Sequence, residues 1–568
     1  MRKMTDISSC LRRVAAVVAI SLLSATTAHC VESLPSDNPK YQVVKRIYDN
    51  IAKAFGDGRQ PPRLVVVPKG TPERMIVAWS MSGSEDVGIT GTLGDAQEGY
   101  IAVEEQVLDL FARSEVDPEG AVAFIVGHEL AHFYLRHGWA GDFGNSFASL
   151  DMGKKMLKAA SYDDVIRRET EADYFGGFYG YLAGYDTMGS APRTIDLLYA
   201  QYQLPDKIAN YPARLERKAI AERAGTNLRK LIPVFEGANR LLLLGKYQES
   251  ARLYDYLARV FPSREMFNNA GVAHALQALR LFRPGTLSFC YPFEFDAETR
   301  LHVKGWKAKG IDLDAPQRTA LLRQAAEAFD KALQRDRDYA VAKVNLAAVD
   351  ALLGDDDTAI VLANQAMELA KKQGEQPTLA NALVVRGIAY AAGGNRERAL
   401  VDFAAAGNSG SRLAALNLAQ LGGEKPAPAA EPEQREASAP DEEVIAGLSA
   451  RSPFLKDKDA APFTLQGSGA AEPPMTLYFR SGAGWDRTLT LVGTRLSSVV
   501  ATAKGYAGKS ARGVAIGDPL PFMLEKYGPA AALVPARQVT WHLYPKKGLA
   551  FAVDPDQKVA GWLVYSAE

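Results

Sequence analysis

The chain has 568 residues, of which 47% are hydrophobic and 23% are charged, a balance that is ordinary for a soluble globular protein. Its length exceeds what one hydrophobic core supports, so we expect about three or four domains. Lys plus Arg and Asp plus Glu are both 66, so no overall basic charge favours binding to nucleic acid or to an anionic membrane.

The N-terminus has the pattern of an export signal. Basic residues precede the apolar run VAAVVAISLL, and small residues follow it up to Ala28. Because the run is too short to remain as a membrane span, residues 1–28 are predicted to be a signal peptide and the mature protein to be exported to the periplasm. Cys30 leaves an alternative open, a lipoprotein anchored to the envelope through that residue.

Beyond the signal, the cysteines are Cys30 and Cys290, too few for a disulfide framework in an exported protein. A bridge between them and two unpaired thiols both fit the sequence.

Composition divides the rest of the chain into four regions. Residues 33–222 mix short apolar runs with helical patterns, and residues 226–421 are rich in Ala and Leu with helical periodicity. Residues 422–445 combine Pro, Ala and Glu and are predicted to be a flexible linker. Residues 446–568 are predicted to be a separate small domain.

The first region contains the sequence VGHELAHFYLRHG. Asp117 is a good N-cap and Pro118 a good first helical residue, so a helix is predicted over Pro118–His137. His128 and His132 are four residues apart on one face of it, and Glu129 follows the first histidine. In this H-E-x-x-H arrangement two imidazoles bind zinc and the glutamate acts as general base.

A catalytic zinc needs a third protein ligand. His137 lies one residue away from where the three-histidine proteases place theirs, so it is predicted to line the cleft or cap the helix end. Downstream, the stretch SYDDVIRRETEADYFGGFYGYLAGY predicts a second helix, on which Glu169 and Asp173 share a face. One carboxylate can bind the metal while the other accepts a ligand histidine's second N–H; a solvated acidic face is the alternative.

HELAH at 128–132 followed by ETEAD at 169–173 resembles the HtpX and CAAX-prenyl-protease family of zinc metallopeptidases, whose second motif is E-x-x-A-D. The resemblance covers residues 40–222 and implies an α+β zincin-like fold. It makes His128, His132 and Glu169 the ligands of one Zn²⁺ per chain, Glu129 the catalytic acid/base and Asp173 the residue that orients a ligand histidine. GYIAVEEQVLDLF resembles the family's strand and helix before the active site. Because no apolar span follows the signal, the chain resembles the soluble exported branch.

One position departs from the family pattern. Family members often have His-Pro after the E-x-x-A-D helix, and this chain has Tyr211 before Pro212. The phenol of Tyr211 can donate a hydrogen bond to a tetrahedral oxyanion, or it can simply pack at a helix start. Arg214 or Arg217 stands where the family has an arginine.

The second region resembles tetratricopeptide repeats. Around Gly245, Gly354 and Gly393 a helix, a glycine-containing turn and a second helix follow one another, with Ala251, Ala359 and Ala399 at the expected crossings and Ala325 at a fourth. Four or five repeats are predicted, with an irregular insertion near FRPGTLSFCYPFEFDAETRL. Such an all-α solenoid presents a concave surface that binds proteins.

The last region is predicted to be a small α+β or mainly β domain. QVTWHLYP, LAFAVDP and VAGWLVY alternate as strands do, and GDPLPFMLEKYG suggests a short helix. Its His542 is predicted to be a strand residue, and nothing in the region suggests catalysis.

Two classes of function follow. The first is a zinc metalloendopeptidase of the cell envelope that hydrolyses misfolded or misassembled proteins, with clients and protein partners held by the repeats. The second is a non-enzymatic scaffold or chaperone with an inactive or structural metal site. Peripheral membrane association stays open in both. Glu129 favours the enzyme, because a structural site has no use for a general base.

Overall fold

The structure is a computed structural model that describes residues 33–55, 61–70, 78–81, 100–135, 137, 162–207, 212–282, 287–296, 300–303, 315–422, 442–452, 461–467, 473–492, 495–503, 505–535 and 539–566. The predicted signal peptide, Cys30 and Tyr211 lie outside these residues. The chain forms two compact units, residues 1–228 and 229–568. In the part of the chain described, no helix combines the length and apolar character that crossing a membrane requires.

The first unit combines helices with a small mixed sheet. β1 and β3 are parallel, and β2 pairs antiparallel with β3, giving the order β1–β3–β2. The helices and strands are α1 Pro39–Phe55, β1 Arg63–Val67, β2 Ala78–Met81, β3 Tyr100–Glu104, α2 Gln106–Ala112, α3 Pro118–Tyr134, α4 Tyr162–Leu182 and α5 Ala191–Gln201.

Helix α3 begins as the sequence predicts and ends earlier. The Asp117 side chain accepts hydrogen bonds from the backbone N–H groups of Glu119 and Gly120, at 3.2 and 3.1 Å. The predicted end at His137 is wrong: the last helical residue is Tyr134, and Leu135 is the C-cap. His137 therefore follows the helix, although its backbone N–H still donates to the His132 carbonyl at 3.0 Å.

Helices α3 and α4 touch through two glycines. A Cβ on Gly176 would lie 2.5 Å from the Gly127 carbonyl oxygen, and one on Gly127 would lie 2.8 Å from the Gly176 oxygen. Both distances are shorter than carbon and oxygen tolerate, so only glycine permits this approach. Since Gly127 precedes His128, the crossing holds the first histidine of the motif against α4.

The second unit begins within a long helix, α6, which covers Arg214–Leu243, and continues as antiparallel helices joined by short turns. The predicted crossing alanines, Ala251, Ala325, Ala359 and Ala399, are at most 2% exposed. The helical character predicted for this region is confirmed. The helices are α7 Tyr247–Val260, α8 Arg264–Leu279, α9 Ala315–Arg335, α10 Ala340–Leu353, α11 Asp356–Gln373, α12 Gln376–Ala392, α13 Arg396–Asn408 and α14 Arg412–Gly422.

The predicted irregular insertion lies between α8 and α9. It contains a two-stranded antiparallel ribbon of β4, Phe293–Asp296, and β5, Arg300–Val303, in which Phe293 pairs with Val303.

The C-terminal region is an antiparallel sheet, as predicted, with strand order β10–β11–β12–β13–β9–β8–β7–β6. His542 lies on β11 and is 6% exposed. The elements are β6 Ala461–Leu465, β7 Met475–Gly482, β8 Trp485–Val492, β9 Arg495–Thr502, α15 Leu520–Tyr527, β10 Ala532–Pro535, β11 Thr540–Tyr544, β12 Leu549–Val553 and β13 Val559–Tyr565.

The predicted linker, residues 422–445, is too long at both ends. Gly422 still belongs to α14, and Ile445 is fully buried in the core of the C-terminal sheet with Trp562. Glu443 accepts a hydrogen bond from the Tyr527 hydroxyl, so its side chain is held inside this domain rather than in solvent. Composition did not indicate this packing because Ile445 is a single apolar residue at the edge of a polar stretch.

Candidate metal centre

Three side chains converge where α3 and α4 cross. His128 and His132 extend from successive turns of α3, and Glu169 extends from α4. The two Nε2 atoms are 3.0 Å apart; that of His128 lies 3.5 Å from Oε2 of Glu169, and that of His132 lies 3.5 Å from Oε1. Among the described residues, these three form the group of histidine, cysteine or acidic side chains that is arranged to hold a metal ion.

Two hydrogen-bond chains assign the protons on the histidine rings. Nδ1 of His128 lies 2.9 Å from Asp173, whose carboxylate can only accept, so this nitrogen carries the proton. His137 Nε2 lies 3.1 Å from Glu171 and donates to it. His137 Nδ1 therefore accepts from Nδ1 of His132 at 2.9 Å.

When both ligand histidines are neutral, as they are when they bind a metal, each points an Nε2 lone pair toward the other. Two lone pairs at 3.0 Å repel each other unless a cation lies between them. Four ligands around zinc at its usual bond lengths are separated by about 3.3 Å. The Nε2–Nε2 distance of 3.0 Å and the two Nε2–carboxylate distances of 3.5 Å, each to a different oxygen of Glu169, are close to this value. The donor set of two imidazoles and a carboxylate fits Zn²⁺.

A buried arginine connects the carboxylates behind the site. Arg217, near the start of α6, donates from both terminal nitrogens to Asp173, with Nη2 2.7 Å from Oδ1. Its Nε lies 3.3 Å from Glu169 Oε2, and its guanidinium lies 5.9 Å from the centre of the Phe124 ring. Asp173 is 1% exposed and Arg217 5%, so each charge is compensated inside the protein rather than by water.

These contacts set the charge of the site. Burial by itself raises the pKa of Asp173, but Arg217 and His128 outweigh it, so this pKa is lowered. Burial opposes the charge of Glu169 too, yet His128, His132 and Arg217 hold its pKa below the ordinary value. Burial lowers the pKa of His128, and the hydrogen bond to Asp173 and the charge of Glu169 more than reverse this, so that pKa is raised. The carboxylates are ionised, and the space between the imidazoles attracts positive charge.

Glu129 is placed differently from the three converging side chains. It is half-buried on α3, one residue after His128. No hydrogen bond or ion pair joins its carboxylate to the part of the chain that the structure describes. A carboxylate in this position is able to accept a proton from water.

One contact of the site was not predicted from the sequence, and another had been left open between two arginines. His137 orients His132 and is itself held by Glu171, where cleft lining or helix capping was expected. Of the two candidate arginines, Arg217 reaches the site, whereas Arg214 pairs with Asp196 at 2.7 Å. The sequence contained a signal for the contact between His137 and Glu171, since Glu171 belongs to the second motif, two residues after Glu169. It was missed because His137 follows the end of α3.

Comparisons with known proteins add little. No protein-family model matches the chain, and no curated protein matches it. Among solved structures, a tetratricopeptide repeat protein from Parabacteroides merdae ATCC 43184 is similar over 52% of this chain and 98% of its own length, with 13% identity and a TM-score of 0.18. A TM-score this low does not support a particular fold or function for this chain.

Proposed function

We propose that the chain is a zinc-dependent metalloendopeptidase that hydrolyses peptide bonds of misfolded or misassembled proteins. The observation that supports this most directly is the pair of Nε2 atoms facing each other at 3.0 Å, with Glu169 beside them and Glu129 next to His128 in sequence. A zinc site that serves only to stabilise a fold commonly has four protein ligands, whereas three ligands and a nearby free carboxylate are typical of hydrolases.

The residues have separable tasks in this proposal. His128, His132 and Glu169 would hold one Zn²⁺, which supplies positive charge to polarise a carbonyl and to acidify water. Asp173 and His137 keep the two imidazoles in the tautomer that presents Nε2. Arg217 keeps Asp173 and Glu169 ionised in a buried environment. Glu129 takes the proton from the attacking water and passes it to the leaving amine.

The cellular setting is part of the same proposal. The N-terminal signal pattern and the resemblance of HELAH and ETEAD to the exported branch of the HtpX and CAAX-prenyl-protease family favour a periplasmic enzyme with a zincin-like domain. The helices of the second unit would recruit clients and protein partners, as arrays of paired helices do. Unfolded polypeptide is a suitable substrate because an extended chain can lie beside β2, which is an outer strand of the described sheet and contacts α3.

The test compares the wild-type protein with Glu129→Gln. We expect both to retain one zinc per chain by elemental analysis, because Glu129 does not belong to the ligand group. Cleavage of β-casein, an unfolded protein, should fall at least about a hundredfold in the variant, since general acid–base catalysis contributes that much or more. A matched control is Glu119→Gln at the exposed start of the same helix, which should cleave normally.

Bound zinc without cleavage by the wild-type protein would contradict the enzyme and leave the scaffold or chaperone function. In that case the purified protein should slow the aggregation of an unfolded protein, and Glu129→Gln should do so equally well.

A further inference from the structure

The second unit contains a segment that lies against its own helices as a bound peptide would. Leu287–Asp296, here called the inserted segment, follows α8 and leads through β4. Elsewhere in the array the helices of a pair are joined by tight turns, such as Gly354 and Asp355 between α10 and α11. The inserted segment is therefore an addition to one helix pair rather than a connection that the array requires.

The side chain of Asn417 binds the main chain of the inserted segment through two hydrogen bonds. The Cys290 backbone N–H donates to Asn417 Oδ1 at 2.7 Å, and Asn417 Nδ2 donates to the Cys290 carbonyl at 3.0 Å. One side-chain amide thus satisfies both backbone groups of one residue, as a neighbouring β-strand would. Because Asn417 bonds main-chain groups, this contact places no demand on the side chain at position 290.

Aromatic and proline side chains anchor the segment on either side of that contact. The ring of Phe289 lies 5.9 Å from that of Phe403 on α13, which is fully buried. Pro292 is buried and Phe293 is 2% exposed, and β4 lies against α8 and α10. The contacts therefore combine one main-chain clamp with apolar pockets for alternate parts of an extended chain, which is how peptides are held by grooves.

The clamp belongs to a set of buried amides on the first helix of each pair. Asn345 on α10 donates to Asn268 on α8 at 2.8 Å, and both are fully buried. Asn381 on α12 and Asn417 on α14 are 8% and 1% exposed. Burying amides is costly unless they are hydrogen-bonded, and here Asn268 and Asn345 bond to each other while Asn417 bonds to the main chain of the inserted segment.

We propose that the surface formed by α8, α10, α13 and α14 around the inserted segment is a groove for extended peptides. The inserted segment occupies it in the free protein, and an unfolded chain with two aromatic residues spaced as Phe289 and Phe293 displaces it. A client would then bind in the groove only when the inserted segment leaves it. This proposal goes beyond the proposed hydrolysis and does not depend on it, because the exchange is measured as peptide binding and not as cleavage.

The test uses the full chain with residues 287–293 replaced by glycine and serine in equal number, the vacated variant. The probe is a fluorescein-labelled peptide of residues 287–296 with serine in place of the cysteine, measured by fluorescence anisotropy. It should bind the vacated variant at least about tenfold more tightly than the wild-type protein, because the tethered segment competes at a millimolar effective concentration. Asn417→Ala in the vacated variant should weaken binding about tenfold.

Two matched controls accompany it. A probe with both phenylalanines replaced by serine should bind weakly, and Asn364→Ala, at an exposed position of α11, should leave binding of the intact probe unchanged. A folded vacated variant, with the helical circular dichroism of the wild type, that does not bind the probe would overturn the proposal.

If the vacated variant does not fold, the proposal is tested on the wild-type protein. Alkylation of Cys290 by N-ethylmaleimide, followed by mass spectrometry of the peptide that contains it, reports release of the segment. Excess unlabelled probe should raise the alkylation rate at least about tenfold, and Phe293→Ser should raise it without probe. An alkylation rate that the probe does not change would show that the segment is a permanent part of the array.

Discussion

At the scale of single residues, the histidine tautomers connect the hydrogen bonds to the chemistry. His128 is fixed by Asp173 at 2.9 Å, and His132 is fixed by His137 at 2.9 Å, which Glu171 holds in turn. A histidine that binds metal through Nε2 needs its other nitrogen protonated, and a carboxylate behind it supplies that constraint. The two hydrogen-bond chains differ in burial: the Asp173 side chain is fully buried, and that of Glu171 is 44% exposed.

This difference predicts unequal effects of two conservative substitutions. Asp173→Asn should weaken zinc binding about tenfold to a hundredfold, because the amide no longer holds the His128 tautomer and leaves Arg217 without its carboxylate. Glu171→Gln should weaken it less, since solvent can replace the lost partner of His137. Competition with a chromophoric zinc chelator measures both. Equal losses in the two variants would contradict the assigned roles.

A second residue-scale effect concerns pH and stability in the helical array. Burial, with the charges of Asp355 and Asp330, raises the pKa of Asp350 from 3.8 to about 6. The folded chain therefore binds a proton in a pH range where the unfolded chain has released it. Stability should decline as the pH rises from about 4 toward about 6, and little of this contribution should remain to be lost above that.

Asp350→Asn should remove this part of the pH dependence and stabilise the second unit at pH 7. Urea unfolding followed by circular dichroism at pH 5 and pH 7 measures it. Asp357→Asn, at an exposed position of α11, is the control and should leave most of the pH dependence in place. If Asp350→Asn and the wild type lose stability equally between the two pH values, the carboxyl is not the source.

At the scale of elements, the crossing of α3 and α4 decides whether the motif residues meet. Gly176→Ala would place a methyl group 2.5 Å from the Gly127 carbonyl, so the helices must separate. We expect a loss of about 1–3 kcal/mol in stability. Zinc binding should also weaken, because His128 lies on α3 and Glu169 on α4, and these two helices move apart.

Gly407→Ala, in a helix with open space around it, is the matched control and should be neutral or slightly stabilising. Thermal unfolding and zinc titration of both variants test this, and full zinc affinity in Gly176→Ala would contradict it.

At the scale of the whole molecule, the candidate metal centre belongs to the first unit alone. Zinc should therefore stabilise that unit by about 3 kcal/mol when free zinc is about a hundred times its dissociation constant, and should leave the second unit unchanged. Removing metal with a chelator should lower the temperature of one calorimetric transition by several degrees and leave the other in place. A single transition, or two that shift together, would show that the units unfold cooperatively.

Much of the architecture follows from local pattern. The start of α3, the helical pairs with their buried alanines and the C-terminal strands are all set by spacing of apolar residues and by caps and glycines close in sequence. His128 and His132 share a face because a helix repeats every 3.6 residues, so this half of the candidate site is determined before any packing. The end of α3 was missed because the residues that follow it continue a helical pattern.

Contacts between distant elements depended on tertiary structure. Arg217 joins the site because α6 approaches α4, and nothing in its own neighbourhood distinguishes it from Arg214. His137 meets His132 because the chain turns after Tyr134, and the inserted segment meets Asn417 across the array. Sequence alone determined which chemistry the chain carries and on which helix faces. Only packing decided which charges and hydrogen-bonding groups meet, because burial and partner geometry are properties of the folded whole.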